Sequence, residues 1–154
     1  MEYLLTKWVH ILSSTVLFGT GLGSAFYMFF ASLSRDPRVV ATVVRYVVIA
    51  DWCFTTPTVI LQPLSGFYMV HLAGYPLTST WLLWSIILFL VAGAAWLPVV
   101  WMQIQMRRMA KESLANGTAL PQQYWTYLRR WVALGVVAFA ALVIVFYLMV
   151  LKPA

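Results

Sequence analysis

Charge is what this sequence has least of. Only 9% of its 154 residues are Asp, Glu, Lys or Arg, against about 25% in ordinary soluble domains. Acidic side chains number four: Glu2, Asp36, Asp51 and Glu112. With 63% hydrophobic residues, a water-covered globule is excluded and an integral membrane protein is expected. Cys53 is the single cysteine, so no internal disulfide can form. Histidine is nearly as scarce, with only His10 and His71. The chain has no glycine-rich phosphate loop, no serine nucleophile elbow and no His-Glu zinc helix, which removes the common hydrolase and nucleotide-binding signatures. The net charge of +6 does not indicate nucleic acid, because its distribution has a simpler cause.

What is present is apolar length. Four runs exceed the roughly 20 residues that cross a bilayer core. They predict an all-α, four-helix transmembrane bundle in a single domain, with helices at approximately 3–33, 39–74, 80–107 and 127–151. The first run is too long for the apolar core of a secretory signal, about 7–15 residues, and is read as a retained helix. Ser34-Arg35-Asp36-Pro37 separates the first two helices, and Gly74-Tyr75-Pro76 ends the second. Ser79 or Thr80 can cap the third. The second run is long enough for Val39–Ala50 to project beyond the lipid.

Eight of the ten basic residues fall in two connections. Arg35, Arg38 and Arg45 lie between helices one and two. Arg107, Arg108, Lys111, Arg129 and Arg130 lie between helices three and four. The positive-inside rule places both connections in the cytoplasm. Both termini and the 74–80 turn are then outside, an N-out/C-out protein of a bacterial inner membrane. Tyr3, Trp8, Tyr75, Trp81 and Trp84 form an outer aromatic belt, and Trp101, Tyr124, Trp125 and Trp131 an inner one. On this topology His10 and His71 come to similar depth near the outer face.

Polar groups inside such helices are costly and need a reason. On the first helix Lys7, His10, Ser14, Leu17, Gly21, Ser24 and Met28 share a face. Gly19 and Gly23 fall roughly opposite, a small-xxx-small surface suited to helix packing or a homo-oligomer. Neutral imidazoles on neighbouring helices can ligate haem iron axially. A ligating imidazole needs a partner for its other nitrogen, and Ser14, one turn from His10, can supply one. Lys7 can meet a haem propionate. The plainer alternative is an interfacial histidine bonded to a headgroup or a carbonyl.

The second helix carries another polar line. Asp51, Thr55, Thr58, Gln62 and Ser65 follow steps of four, three, four and three. Such a line should face the bundle interior, either as a proton path or ligand cavity or as interhelical hydrogen bonding that also satisfies carbonyls freed by Pro57 and Pro63. His71 lies half a turn away from Gln62 on an ideal helix, unless the prolines rotate it. Arg45 or Arg130 can neutralise Asp51. The methionines form no paired cluster, so packing is the better reading than copper.

With these residues in view, Tyr3-Leu4-Leu5-Thr6-Lys7-Trp8-Val9-His10-Ile11, Phe18-Gly19-Thr20-Gly21-Leu22-Gly23-Ser24-Ala25 and Trp96-Leu97-Pro98-Val99-Val100 resemble an uncharacterised family of short four-helix bacterial integral membrane proteins. The resemblance spans most of the chain and implies no activity. More distantly, Lys7-x-x-His10 followed by glycines is similar to HemJ, the membrane protoporphyrinogen oxidase, and to CopD-type membrane domains. Pro57, Gly66 and Lys152-Pro153 add to the HemJ likeness. That likeness implies haem b in a four-helix bundle with His10 as ligand. The chain departs from HemJ where a lysine would open helix three (Ser79-Thr80-Trp81). It departs again where Asn-Glu-x-Pro would precede the last helix (Leu128-Arg129-Arg130-Trp131).

The expectation is therefore a b-type haem protein with a redox or porphyrin-related role near the outer face. Its cofactor-binding residues are His10, His71, Lys7 and Ser14, with His10 as the metal ligand. The alternative is a non-catalytic membrane subunit or a small-molecule or proton permeation protein working through the Asp51–Ser65 line. The expected partners are the lipid bilayer and a second copy or a larger membrane complex, without nucleic acid. Whether the protein is an enzyme is left open.

Overall fold

A computed structural model describes residues 1–153. They form four helices and no strand: α1 (Glu2–Leu33), α2 (Pro37–Ala73), α3 (Thr80–Asn116) and α4 (Gln122–Leu151). All four are long and apolar enough to cross a membrane. The 37 residues of α3 rise about 55 Å at 1.5 Å each, well beyond a hydrocarbon core of about 30 Å. The excess lies at the basic end. There α3 runs on to Asn116 rather than stopping near 107, and Arg107, Arg108 and Lys111 are exposed. The fourth helix likewise starts at Gln122, five residues before the expected 127.

The ends follow from local chemistry. Asp36 caps α2 by accepting the Arg38 amide at 2.8 Å, and Pro37 occupies the first helical turn, where a missing N–H costs nothing. Gly74 ends α2 with φ +69°, and Tyr75 N–H reaches back to the Val70 carbonyl at 3.2 Å. Gly117 closes α3 in the same way, with Thr118 N–H on the Ser113 carbonyl. Ser79 stands at the N-cap of α3, but its hydroxyl turns to the Pro76 carbonyl at 2.8 Å instead of capping the helix.

Within α2, Asp51–Thr55 is a π-helical turn, with Thr56 N–H on the Asp51 carbonyl. Pro57 accounts for it. A proline has no N–H for the carbonyl four residues back, and its ring crowds that carbonyl, so widening the preceding turn relieves both problems.

The core sits at the basic end. Met28, Val44, Met106, Tyr124 and Trp131 belong to one buried cluster joining all four helices. Tyr124 is fully buried, and its hydroxyl lies 2.6 Å from that of Ser32. Toward the other end the bundle loosens. The Thr56–Ala73 half of α2 leans on α1 and scarcely meets α3, while α3 and α4 stay paired. Toward that end α4 meets α1 through Phe18, whose ring lies 4.8 Å from Phe139 and 5.3 Å from Phe146.

Candidate functional site: a polar seam between the first two helices

Asp51, Thr55, Thr58, Gln62 and Ser65 are all buried. Across the π-turn the line stays continuous with the buried Val40, Val44 and Val47 of the preceding segment. At its Ser65 end the line meets α1 around His10. His10 Nδ1 lies 2.8 Å from Ser65 Oγ. Gln62 Nε2 donates to the His10 carbonyl at 2.8 Å and also to Ser13 Oγ. Ser13 Oγ in turn contacts the His10 carbonyl at 3.2 Å. The imidazole rests against Gly66, where an added β-carbon would sit 3.4 Å from Cε1. Gly66 thus lets the ring lie directly on the α2 backbone.

The protons on this seam can be assigned by accounting. Ser65 has one hydroxyl proton, and Oγ lies 2.6 Å from the Leu61 carbonyl, which can only accept. Ser65 therefore donates there and accepts from His10 Nδ1–H. That makes Nδ1 the protonated nitrogen of the neutral ring and leaves a free lone pair on Nε2. Such an arrangement can hold a metal through Nε2 or accept a proton there.

The expected second partner of His10 needs correction. Ser14 does not hold the ring: its hydroxyl donates to the Ile11 carbonyl of its own helix at 2.7 Å, and Ser65 of α2 fills that role. Lys7 is exposed, one turn toward the helix start. His71 is exposed and does not join the seam. It lies six residues past Ser65, about 240° around an α-helix. The π-turn precedes Gln62, so it leaves the angle between Gln62 and His71 unchanged. Gly19 and Gly23 have nothing in the chain against them.

At the opposite end of the line, Asp51 Oδ1 accepts from Thr55 Oγ1 at 2.8 Å. The Gln103 side chain of α3 stands against the same carboxyl. Neither expected arginine neutralises Asp51: Oδ2 has no hydrogen-bond partner, Arg45 lies over the Tyr46 ring, and Arg130 is exposed. Gln103 Oε1 and Trp131 Nε1 are also buried without partners. Among the described residues no three His, Cys, Asp or Glu side chains gather as a metal site. Met28, Met102 and Met106 are core residues.

Sequence reading gave Ser13, Gly66 and Gln103 no part in the site. Ser13 carried a signal, since it lies three residues from His10 and so shares its face. Gln103 was visible as a polar residue in a mostly apolar run. Gly66 carried none, because its role depends on how closely α1 approaches.

Comparison with known proteins places the chain in a family. The model described as a predicted integral membrane protein (DUF2269) matches residues 4–153, and the chain belongs to that family. No curated protein and no solved structure matches it.

Proposed function

We propose that this DUF2269 protein is a small b-type haem protein of a bacterial inner membrane, with both termini outside and a redox or porphyrin-related role near the outer face. One observation carries the reading: Ser65 Oγ, which donates its own proton to the Leu61 carbonyl, accepts from His10 Nδ1–H and leaves Nε2 as a free ligand nitrogen. Ligating histidines have their other nitrogen held in this way, which sets both ring orientation and basicity. Bound haem would supply a one-electron iron couple. His10 would hold the iron, Ser65 and Gly66 would fix the ring, and exposed Lys7 would face a propionate at the interface. His71 is exposed and lies about 240° around α2 from Ser65, so the reading takes one axial imidazole from one chain. The sequence likeness to HemJ supports haem and rests on the residues quoted for it, not on the comparisons.

A second reading is favoured by a separate observation, the unbroken burial of Asp51, Thr55, Thr58, Gln62 and Ser65. In that reading the line serves a non-catalytic subunit or a proton or small-molecule pathway, and His10 is a packing residue.

Absorbance spectra of detergent-purified protein from haem-supplied cells separate the two. The haem reading predicts a Soret band that sharpens and shifts on dithionite reduction, is lost in His10→Ala and persists in His71→Ala. A colourless wild type would leave the second reading.

A further inference from the structure

The inner end of the polar line holds an electrostatic problem that the haem reading does not use. Asp51 is 4% exposed and Gln103 3% exposed. Their side chains face each other across the α2–α3 contact, yet Asp51 Oδ2 and Gln103 Oε1 both lack partners. Two buried acceptors cannot satisfy one another, and a lone carboxylate buried in protein is strongly unfavourable. Both atoms also have essentially no accessible surface, so solvent does not reach them.

We propose that Asp51 is a proton-binding site of the bundle, holding a proton on Oδ2 and donating it to the Gln103 carboxamide oxygen. One proton satisfies both orphaned acceptors. The pair is an acid–amide contact, in which the acid O–H donates and the carboxamide oxygen accepts. Thr55 fixes the other carboxyl oxygen by donating to Oδ1. No compensating cation lies within hydrogen-bonding reach of Oδ2. The titratable or charged residues nearest in sequence, Arg45, Tyr46, Cys53 and, on α3, Arg107, are exposed. The π-turn that carries Asp51 gives this helix a locally widened backbone, a feature frequent at functional sites. The same polar line then continues through Thr58 and Gln62 toward Ser65 and His10, which places a proton donor and a free imidazole nitrogen at its two ends. This inference is independent of haem: it concerns the inner end of the line and survives a colourless protein.

Infrared spectroscopy of the full chain in lipid or detergent at neutral pH tests it. A protonated carboxylic acid has a carbonyl stretch that an ionised carboxylate lacks. The wild type should show one such band, absent in Asp51→Asn and shifted upward in Gln103→Leu, where the acid loses its acceptor. Asp51→Asn should keep the wild-type thermal midpoint, because its amide N–H replaces the acid O–H toward Gln103. Asp51→Glu, as a second variant, should retain an acid band at altered frequency. Two results would overturn the proposal. One is a carboxylate signal in the wild type that disappears in Asp51→Asn, with no acid band. The other is an acid band that sodium or potassium converts to carboxylate, which would mean a site for an alkali ion.

Discussion

At the scale of single residues, the chemistry rests on hydroxyls that have already spent their own proton. Ser65 donates to Leu61 and can therefore only accept from His10. Ser65→Ala removes that acceptor and frees the ring to turn. Haem retained through purification should then fall by roughly ten- to a hundredfold in affinity, the usual effect of losing a ligand's hydrogen-bond partner. Ser14→Ala should leave haem content unchanged, because Ser14 serves only the Ile11 carbonyl. Haem stoichiometry in the two variants checks both outcomes. If Ser14→Ala and Ser65→Ala behave alike, the assignment of the ring partner is wrong. Gln62 has a different part, tying α2 to the α1 backbone through the His10 carbonyl and Ser13. Interhelical hydrogen bonds in membranes average about 0.6 kcal/mol. Gln62→Leu should therefore lower stability by about 1 kcal/mol, read from unfolding in mixed detergent.

At the scale of elements, the closeness of α1 and α2 depends on one missing side chain. An alanine at 66 would meet His10 Cε1 at an ordinary contact distance of 3.4 Å, so Gly66→Ala should be tolerated. Gly66→Leu would push the imidazole off the helix and should abolish haem retention while leaving the protein helical by circular dichroism. Retention of haem in Gly66→Leu would show that the ring does not lie on α2 when loaded. The polar line of α2 was legible from sequence because steps of three and four survive both prolines. The π-turn was not, since Pro57 announces a disturbed helix without saying whether it kinks or widens. The partner of His10 was hidden for a related reason. Periodicity ranks residues on one helix, so it offered Ser14, whereas the true neighbour sits 55 positions away on another helix. The end of α3 ran past its expected limit because the apolar signal stops at the membrane while the helix continues as a basic, solvated extension.

For the whole molecule, the two ends of the bundle differ in kind. The basic end is tightly packed around Met28, Met106 and Tyr124. The other end is looser, and Lys152 rests there over Tyr75 and Trp81 at 4.9 and 5.4 Å. The number of helices and their ability to span a membrane were readable from apolar length alone. Their pairing was not, because lipid-facing and helix-facing apolar residues look alike in sequence. The proposed orientation rests on the basic loops and predicts that the 74–80 turn is outside. A cysteine placed at Thr78 in a Cys53→Ser background should react with a membrane-impermeant thiol reagent on intact cells. One placed at Asn116 should react only after the cells are opened. The reverse pattern would invert the topology and put His10 near the cytoplasmic face.

The most direct measurement is chemical rescue at His10. The His10→Gly protein, purified with haem present, would be examined by reduced and oxidised absorbance with and without added imidazole. A haem spectrum present in the wild type, lost in the variant and restored by free imidazole is the expected result, because only the side chain that ligates iron is replaced by a diffusible copy of itself. A wild-type spectrum that persists in His10→Gly without imidazole would contradict it, as would the absence of any spectrum in the wild type.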